Sequence, residues 1–461
     1  MHKILEFQAV VLAAGRGSRL PDVGGTVSKC LLPVGPYPVL WYSLNMLERH
    51  GFQETMVVVL EEDKSNILNA LEKCPLKIKY ELIVIPSSIL EDGGTANTLE
   101  HISSRVTTDL VVVSGDLISN VNLNEVLNLY RKHDATLATL FFNNDVEEWF
   151  ELPGLKSKAK PDRDLVCIDK ETQRLVFLAS ASDFEGNVKL PRVLIKKFHT
   201  ISMYSRLLDA HLYVMKNWVI NYLVKCDKFT SIKGELIPHI VKKQLTKPKT
   251  TSEKKDITDK KTDNKIDIFD FAHEHGYESK IREMSVYNDH SLGSKGVYYN
   301  DILRCYAHIP DKNTFGIRVN TLSAFNLSNK KILSKWEEIT GTVLTERIHS
   351  NSDVKTKQID ETCTVGEKTV IAERTSIKST FIGANCTIEN KVRLTNCILM
   401  NNVTVKEGCV LQDCIIYTGA TLYNDCNLQY CLVGPHHAVP SSSSGNHMLL
   451  EKITDNMITL G

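Results

Sequence analysis

The feature that most restricts the fold of this chain is a repeat between residues 365 and 434. A helix has an apolar period of about 3.6 residues and a half-buried strand a period of 2, so neither produces a 17-residue cycle. A left-handed parallel β-helix does, because each coil has three short strands and each strand points one aliphatic side chain into the prism. We therefore predict such a β-helix of hexapeptide repeats, with regular coils over 365–434. The aliphatic residues that define the repeat follow one another at steps of six, six and five, four times over: Val365, Ile371, Ile377, Ile382, Ile388, Leu394, Leu399, Val405, Leu411, Ile416, Leu422, Leu428 and Val433.

The cysteines follow the same repeat. Seven of the 12 lie between Cys363 and Cys431, and Cys397, Cys414 and Cys431 stand at the equivalent position of three successive coils. We expect these three to form one buried column of reduced thiols, since the chain has no Cys-x-x-Cys pair and no sign of secretion. The nearby histidines, His436 and His437, are expected beyond the last coil, which argues against histidine-dependent acyl transfer.

The first third of the chain alternates apolar strands with amphipathic helices. Glu6 and Gln8 interrupt the first apolar run, which favours a β-strand there over a signal peptide. Valine-rich runs between helical segments indicate an α/β domain whose mostly parallel sheet is doubly wound, with helices on both faces. The strands are predicted at Phe7–Ala13, Thr55–Leu60, Tyr80–Ile85, Asp109–Ser114 and Ala135–Phe142, and the helices after Pro38 and at Asp63–Lys73, Thr95–Val106 and Asn122–Lys132. A hairpin is predicted for 166–178, and further helices for Ile232–Lys243 and near Lys330–Glu338.

Composition sets the domain limits and the classes of partner. We expect one domain over residues 1–345 and the β-helix domain, with a short tail, over 346–461. Between about 246 and 267 the chain has seven lysines and five acids with almost no apolar residue, which indicates a disordered insert exposed to solvent rather than an RNA-binding patch. The formal net charge is zero, so we expect neither direct nucleic-acid binding nor membrane binding. No run reaches the roughly 20 apolar residues of a membrane span.

A glycine-rich loop directly follows the first strand. Gly15, Gly17 and Arg19 stand in the segment LAAGRGSRL, where glycines let backbone N–H groups approach a phosphate. The third glycine of the dinucleotide-binding fingerprint is absent, because Leu20 occupies that position. A tight turn with a surface arginine remains the alternative interpretation.

Together with Ser28–Val34 (SKCLLPV), this loop resembles the signature of the sugar-nucleotide pyrophosphorylases. Gly94-Thr95-Ala96 resembles the turn with which those enzymes contact the base, and Gly115-Asp116 resembles their first metal-binding pair. The resemblance implies a nucleotidyltransferase-like domain in which a sugar phosphate attacks a nucleoside triphosphate with the help of magnesium and a lysine. It also implies the residues of a nucleotide-binding site, vestigial in this chain: Gly15, Gly17, Arg19, Lys29, Gly94, Thr95 and Asp116.

The departures from that signature predict a site without catalytic residues, metal or cofactor. Ser28 and Cys30 replace the prolines that usually flank the lysine, and we expect Lys29 to be exposed to solvent. The second metal carboxylate of the family matches Arg318 here, and a cation at that position repels a divalent ion. For Asp116 two roles remain open, metal binding and an ordinary turn or helix cap.

Within this superfamily the chain resembles the gamma subunits of eukaryotic translation initiation factor 2B most closely. The resemblance rests on 208–213 (LDAHLY), 231–238 (SIKGELIP) and 397–405 (CILMNNVTV). It implies a non-catalytic subunit of a cytosolic guanine-nucleotide exchange complex. That subunit would assemble with the epsilon, beta, delta and alpha subunits and act on initiation factor 2. The related epsilon subunit carries an additional helical domain, whereas this sequence ends at Gly461, shortly after Gly434, which favours gamma. The alternative is an active sugar-nucleotide pyrophosphorylase, such as a mannose-1-phosphate guanylyltransferase.

Overall fold

The structure is a computed structural model, and its described part covers ten segments of the chain. Gly17, Arg19 and residues 247–265 of the predicted insert lie outside them. The described segments are 6–15, 28–88, 94–143, 164–180, 188–198, 200–226, 228–246, 266–272, 301–344 and 346–450.

The first part of the chain is built on a mixed sheet of seven strands in the order β13-β8-β12-β6-β1-β4-β5. The strands of this part are β1 Phe7–Leu12, β2 Pro33–Val34, β3 Tyr37–Pro38, β4 Glu54–Leu60, β5 Lys79–Ile85, β6 Asp109–Ser114, β7 Leu117–Ser119, β8 Leu137–Asn143, β9 Leu165–Asp169, β10 Leu175–Ala179, β11 Ile201–Tyr204, β12 Leu207–Met215, β13 Cys305–His308 and β14 Gly316–Arg318. The helices are α1 Val39–Arg49, α2 Lys64–Leu71, α3 Thr95–His101, α4 Leu123–Lys132, α5 Arg192–Lys197, α6 Asn217–Cys226, α7 Ile237–Lys243, α8 Leu322–Ile332 and α9 Trp336–Thr340. None of the helices in the described segments is long and apolar enough to cross a bilayer.

The central strands are buried on both faces, as their valine-rich sequences predict. In β6, Leu110 and Val112 pack into one apolar cluster while Val111 and Val113 pack into another on the opposite face. The strands β1, β4, β5 and β6 run parallel, and β13 is parallel to β8. This confirms the doubly wound, mostly parallel α/β fold. The antiparallel pairing of β12 with β6 and β8 was not predicted.

The helices begin close to the predicted positions, and several of them end earlier. The predicted helix from Thr95 to Val106 ends at His101 and continues as a short 3-10 turn over Ser103–Arg105. The helix predicted near 330–338 is in fact two helices, α8 and α9, with a break between them. The first half of the predicted helix over 232–243 is a π-helical turn, Ile232–Leu236.

A separate sheet of three strands, in the order β10-β9-β11, lies beside the main one. The pairing of β9 with β10 confirms the predicted hairpin. Helix α5 covers one face of this sheet, where Leu194 and Phe198 pack against Cys167. Arg174 joins the sheet to its surroundings, because its side chain, 2% exposed, donates hydrogen bonds to Gln244 at 3.1 Å and to Asp301 at 2.6 Å.

The last part of the chain forms three parallel sheets of six short strands each, one for each side of a β-helix. Equivalent aliphatic residues pair across successive coils, as Ile371 does with Ile388 and Leu394 with Leu411, so their side chains stack inside the prism. The predicted β-helix is therefore confirmed. Its strands are Asp353–Val354, Gln358–Ile359, Thr364–Val365, Val370–Ile371, Ser376–Lys378, Phe381–Ile382, Thr387–Ile388, Arg393–Thr395, Ile398–Leu399, Thr404–Val405, Val410–Gln412, Ile415–Ile416, Thr421–Leu422, Asn427–Gln429, Leu432–Val433, Ala438–Val439, Ser444–Asn446 and Leu449–Leu450.

The β-helix is longer than predicted at both ends. Counted back from Val365, the repeat would put Asp360 at an inward position of the first coil. In the structure its neighbour Ile359 pairs with Ile377 instead. In the last coil Gly445 takes the place of an aliphatic residue. The prediction that His436 and His437 follow the last coil is wrong, because Ala438–Leu450 continues the sheets. The domain limits themselves stay a prediction.

The 12 cysteines all lie in described segments, and all are free thiols. Cys397, Cys414 and Cys431 are buried in the prism. Burial raises the pKa of Cys386, in the same interior, to about 11. A hydrogen bond with Cys414, by contrast, lowers the pKa of Cys431 to about 6. We interpret the column as apolar filling because its three side chains are buried among the aliphatic residues of the prism.

The β-helix packs against the first part of the chain through one of its three faces. The outward residues Ile398, Ile415 and Leu432 are buried in one apolar cluster with Trp41 and Trp336. At the edge of this contact Lys330 of α8 donates a hydrogen bond of 3.0 Å to Asp413, a corner residue of the β-helix. Apolar burial and an ion pair thus both hold the two parts together.

Candidate functional site

A cavity of about 150 Å³ lies at the carboxyl ends of β1 and β6, where open α/β sheets usually bind ligands. The glycine loop follows β1, and Gly115-Asp116 follows β6, so the topology brings both segments to the same edge. Gly115 must stay small, since a Cβ atom there would lie 3.1 Å from the carbonyl oxygen of Leu12. The cavity is lined by Leu12, Ala13, Ala14, Gly15, Lys29, Cys30, Thr95, Thr98, Val112, Ser114, Gly115, Asp116, His211, Tyr213, Ile232 and Arg318.

Asp116 is held in this cavity by two cations. Its side chain is 5% exposed, and Arg318 donates a hydrogen bond to each carboxylate oxygen at 3.1 Å. Lys29 forms a second ion pair with Oδ2, and the hydroxyl of Ser114 donates to Oδ1 at 2.6 Å. Each of the two carboxylate oxygens thus already accepts two hydrogen bonds from other groups of the chain.

The charges around Asp116 determine its protonation. Burial raises the pKa of Asp116, but the positive charges of Arg318 and Lys29 outweigh burial and hold it well below its ordinary value. Burial lowers the pKa of Arg318, but the carboxylate of Asp116 outweighs burial and raises it. Asp116 therefore stays ionised at neutral pH and cannot act as a general acid or base there.

Arg318 is positioned by the backbone on both sides. It is the last residue of β14, which pairs antiparallel with β7 and sets Arg318 opposite Leu117. The next residue, Val319, donates its amide to the carbonyl oxygen of Asp116 at 2.9 Å. These backbone contacts therefore hold Arg318 where its guanidinium reaches the carboxylate of Asp116.

These residues do not fit a magnesium ion. A divalent cation needs several oxygen ligands and would have to displace two cations from a single buried carboxylate. Two positive charges against one negative charge leave the triad with a net positive charge. In the described segments no group of three or more histidine, cysteine, aspartate or glutamate residues could hold a metal ion.

The expectation that Lys29 is exposed to solvent is wrong. Its side chain is 14% exposed, because the 3-10 turn Lys29–Leu31 directs it toward Asp116. The two residues that depart from the family signature stabilise this turn. Cys30 is buried and its thiol donates to the carbonyl oxygen of Ala13 at 3.3 Å, while the hydroxyl of Ser28 lies 3.1 Å from the same sulfur.

The Gly94-Thr95 turn is occupied by contacts within the chain. The amide of Ile232 donates to the hydroxyl of Thr95 at 3.0 Å, and the amide of Ala96 donates to the carbonyl oxygen of Thr230 at 2.9 Å. A Cβ atom on Gly94 would lie 2.6 Å from that same carbonyl oxygen. The glycine is therefore required for packing, whatever else the turn contacts.

The structure brings four of the seven predicted site residues to the cavity wall: Gly15, Lys29, Thr95 and Asp116. Gly94 lies next to the wall, and Gly17 and Arg19 lie outside the described residues. A Cβ atom added to Gly15 would meet no other atom within 4 Å, so its neighbours in the described segments do not require a glycine. The binding role of these residues stays a prediction.

His211 is a residue of this cavity that was not identified from the sequence. A bulge in β12 between Asp209 and Tyr213 gives His211 a φ of 48° and turns it toward the cavity. Burial lowers the pKa of His211 well below its ordinary value, and the charge of Arg318 lowers it further, so the ring is neutral. Its Nε2 atom has no hydrogen-bond partner in the described part of the chain. The polar interruption of an apolar strand by Asp209 and His211 was the available sequence signal.

Comparison with known proteins identifies both parts of the chain. Residues 8–149 match the family model for nucleotidyl transferase, and residues 346–443 match that for the EIF2B subunit epsilon LbH domain. The first match spans the loop, turn and carboxylate of the cavity, and the second spans most of the β-helix.

Three similar proteins carry the same description, translation initiation factor eIF2B subunit gamma. The Caenorhabditis elegans protein is 32% identical over 52% of this chain and 59% of its own length. The Dictyostelium discoideum protein is 23% identical over 83% of this chain and 88% of its own length. The Schizosaccharomyces pombe protein is 31% identical over 54% of both chains. The matches to the Caenorhabditis elegans and Schizosaccharomyces pombe proteins thus cover less than two thirds of the length of each of these relatives. Together with the two family models, these matches make the chain similar to the eIF2B gamma subunits.

Proposed function

We propose that this chain is a non-catalytic subunit of the eIF2B guanine-nucleotide exchange complex. It promotes GDP/GTP exchange on initiation factor 2 as part of the assembly and transfers no nucleotidyl group itself. The observation that carries the proposal is the triad of Asp116, Arg318 and Lys29. A carboxylate that two cations already neutralise has no free ligand position for the metal that nucleotidyl transfer requires.

The partners in this proposal are the epsilon, beta, delta and alpha subunits, with epsilon pairing directly. Support comes from the descriptions of the relatives, which name subunits of eIF2B, and from the epsilon-type family model that the β-helix matches. We place the assembly in the cytosol for the same reason, since these relatives are described as translation initiation factors.

The absence of catalysis is tested on the purified chain. It is incubated with magnesium, each nucleoside triphosphate and a series of hexose 1-phosphates, and pyrophosphate release is measured. We expect the rate to equal that of Asp116→Ala and of Asp353→Ala, a control at an exposed β-helix carboxylate. Release that disappears only in Asp116→Ala would contradict the proposal.

The role in the complex is tested by co-expression with the epsilon subunit. We expect the two chains to co-purify, and the pair to release labelled GDP from initiation factor 2 faster than epsilon alone. The chain alone should have no effect on GDP release. Exchange activity of the isolated chain, or failure to associate with epsilon, would contradict this part.

A further inference from the structure

Exposed apolar side chains cluster on the small sheet, away from both the cavity and the β-helix. Val193 and Ile195 of α5 are 50% and 63% exposed, and Met203 of β11 is 55% exposed. Met203 pairs with Cys167 of β9, which packs against Leu194 of α5, so Met203 lies on the face of the sheet that α5 covers. The helix and the strand therefore present their apolar residues on one side of the molecule.

The strand β11 is also an open edge in the described part of the chain. It follows β9 at the end of the order β10-β9-β11. The amide of Lys170 donates to the carbonyl oxygen of Thr200 at 2.9 Å, which makes this pair a hydrogen-bonded one. Since such pairs alternate along an antiparallel ladder, the backbone groups of Ile201 and Met203 point away from β9. Two residues thus offer donors and acceptors to an added strand.

The charges around this edge are mostly positive, although the exposed carboxylate of Glu171 accepts a hydrogen bond from the hydroxyl of Thr200 at 3.0 Å. The exposed side chains of Lys189, Arg192, Lys196 and Arg206 form no ion pair with any described residue. The nearby acid Asp301 pairs with Arg174 and Lys197 instead. Among the described residues of this surface, cations without an ion pair therefore outnumber exposed acids.

We propose that this surface, formed by α5, β11 and the four cations, binds an acidic extended segment of a partner protein. The segment adds to β11 as a further strand. Its backbone pairs with Ile201 and Met203, its apolar side chains cover Met203 and Ile195, and its carboxylates face the lysines and arginines. The proposal is independent of the proposed function, because the surface contains no residue of the cavity.

The test uses the full chain and a fluorescein-labelled peptide of sequence EEIEVEIEVE, with binding measured by fluorescence anisotropy. We expect the triple variant Lys189→Glu/Arg192→Glu/Lys196→Glu to weaken binding about tenfold or more, since charges around an interface steer and retain an oppositely charged partner. The matched control reverses three exposed cations of the β-helix, Lys357→Glu/Lys378→Glu/Arg393→Glu, and should leave the affinity within twofold. Every substituted side chain is exposed, and circular dichroism verifies folding.

The apolar contribution has its own pair of variants. Ile195→Ser should weaken binding, whereas Val343→Ser, at a residue 69% exposed elsewhere, should not. Raising the salt concentration from about 50 to about 300 mM should weaken the residual electrostatic attraction in every variant that binds.

Strand addition is tested with two N-methylated peptides, one modified at odd and the other at even positions. Alternate amides of a strand point to opposite edges, so only one of the two peptides should lose binding. In hydrogen exchange of the full chain, the unmodified peptide should protect the amides of Ile201 and Met203.

Three results would overturn the proposal. The first is that the peptide does not bind at about 1 mM, the concentration at which even a weak complex would form. The second is that both N-methylated peptides bind as tightly as the parent, which would leave only non-specific attraction. The third is that polyuridylate, or vesicles of equimolar phosphatidylcholine and phosphatidylserine, bind through the same three cations while the peptide does not. The partner class would then be nucleic acid or membrane.

Discussion

Replacing Arg318 by methionine perturbs the triad at the ion pair that the backbone positions. Methionine keeps much of the volume of the side chain but removes the two hydrogen bonds of 3.1 Å to Asp116. Removing one partner of a buried ion pair costs about 3–5 kcal/mol, because the other charge stays buried. Lys29 still pairs with Asp116, so we expect the lower end, a loss of about 3 kcal/mol in the free energy of unfolding.

The assay is unfolding in urea and by heat, followed by tryptophan fluorescence. At roughly 2–4 °C for each kcal/mol in a large domain, the melting temperature of the first part of the chain should fall by about 6–12 °C. Asp116→Leu and Lys29→Met, added together to Arg318→Met, should recover part of the loss, since they leave no unpaired charge in the triad. Arg393→Met, at an exposed residue of the β-helix, is the control and should change stability by less than about 0.5 kcal/mol.

The same substitution should change the response to acid. The pKa of Asp116 is lower in the folded than in the unfolded chain, so this carboxylate stabilises the fold above its ordinary pKa near 4 and loses that effect as the pH falls further. Arg318→Met should therefore flatten the loss of stability below pH 4. A variant as stable as the parent at neutral pH, with an unchanged acid profile, would refute the assignment of the ion pair to this residue.

Three further predictions concern the rest of the fold. Lys330→Ala leaves Asp413, 8% exposed at its side chain, without its cation, and should cost about 1–3 kcal/mol, measured as faster proteolysis between the two parts of the chain. Leu411→Ala, inside the prism, should cost about 2–5 kcal/mol in urea unfolding, whereas Val410→Ala on the outer side should cost less than about 1 kcal/mol. Burial lowers the pKa of His50, whose Nε2 accepts a backbone amide at 3.0 Å. Its neutral form therefore stabilises the fold above pH 6.5, and His50→Gln should reduce the stability lost between pH 7 and 5.

The sequence predicted the β-helix well because its signal is local and repeated. Each coil places one aliphatic residue per strand. Neither a helix nor a half-buried strand has a period that matches four such coils. The end coils were missed where the repeat itself fails, at Asp360 and at Gly445. There the backbone pairing continues without the side-chain pattern, since neighbouring coils hold the strand in place.

The candidate site was only partly predictable, for a physical reason. Strand patterns placed Gly15 and Asp116 each just after a predicted strand, and the resemblance drew attention to Arg318. The pairing of Asp116 with Arg318 joins residues 202 positions apart, and the burial of Lys29 depends on a single 3-10 turn. Such contacts depend on tertiary structure, which no local pattern records. The bulge that turns His211 inward belongs to the same class.

One stretch of the chain links the triad to the β-helix. Arg318 ends β14, Thr321 caps α8 by accepting the amide of Ala324 at 3.2 Å, and Lys330 near the end of that helix pairs with Asp413. Because Asp116 is neutralised by residues of the chain, β14 and α8 are held in place by permanent contacts. In an enzyme that used magnesium, the corresponding charges would be balanced only when metal and substrate were bound. We therefore expect the β-helix to dock in the same way when the cavity is empty.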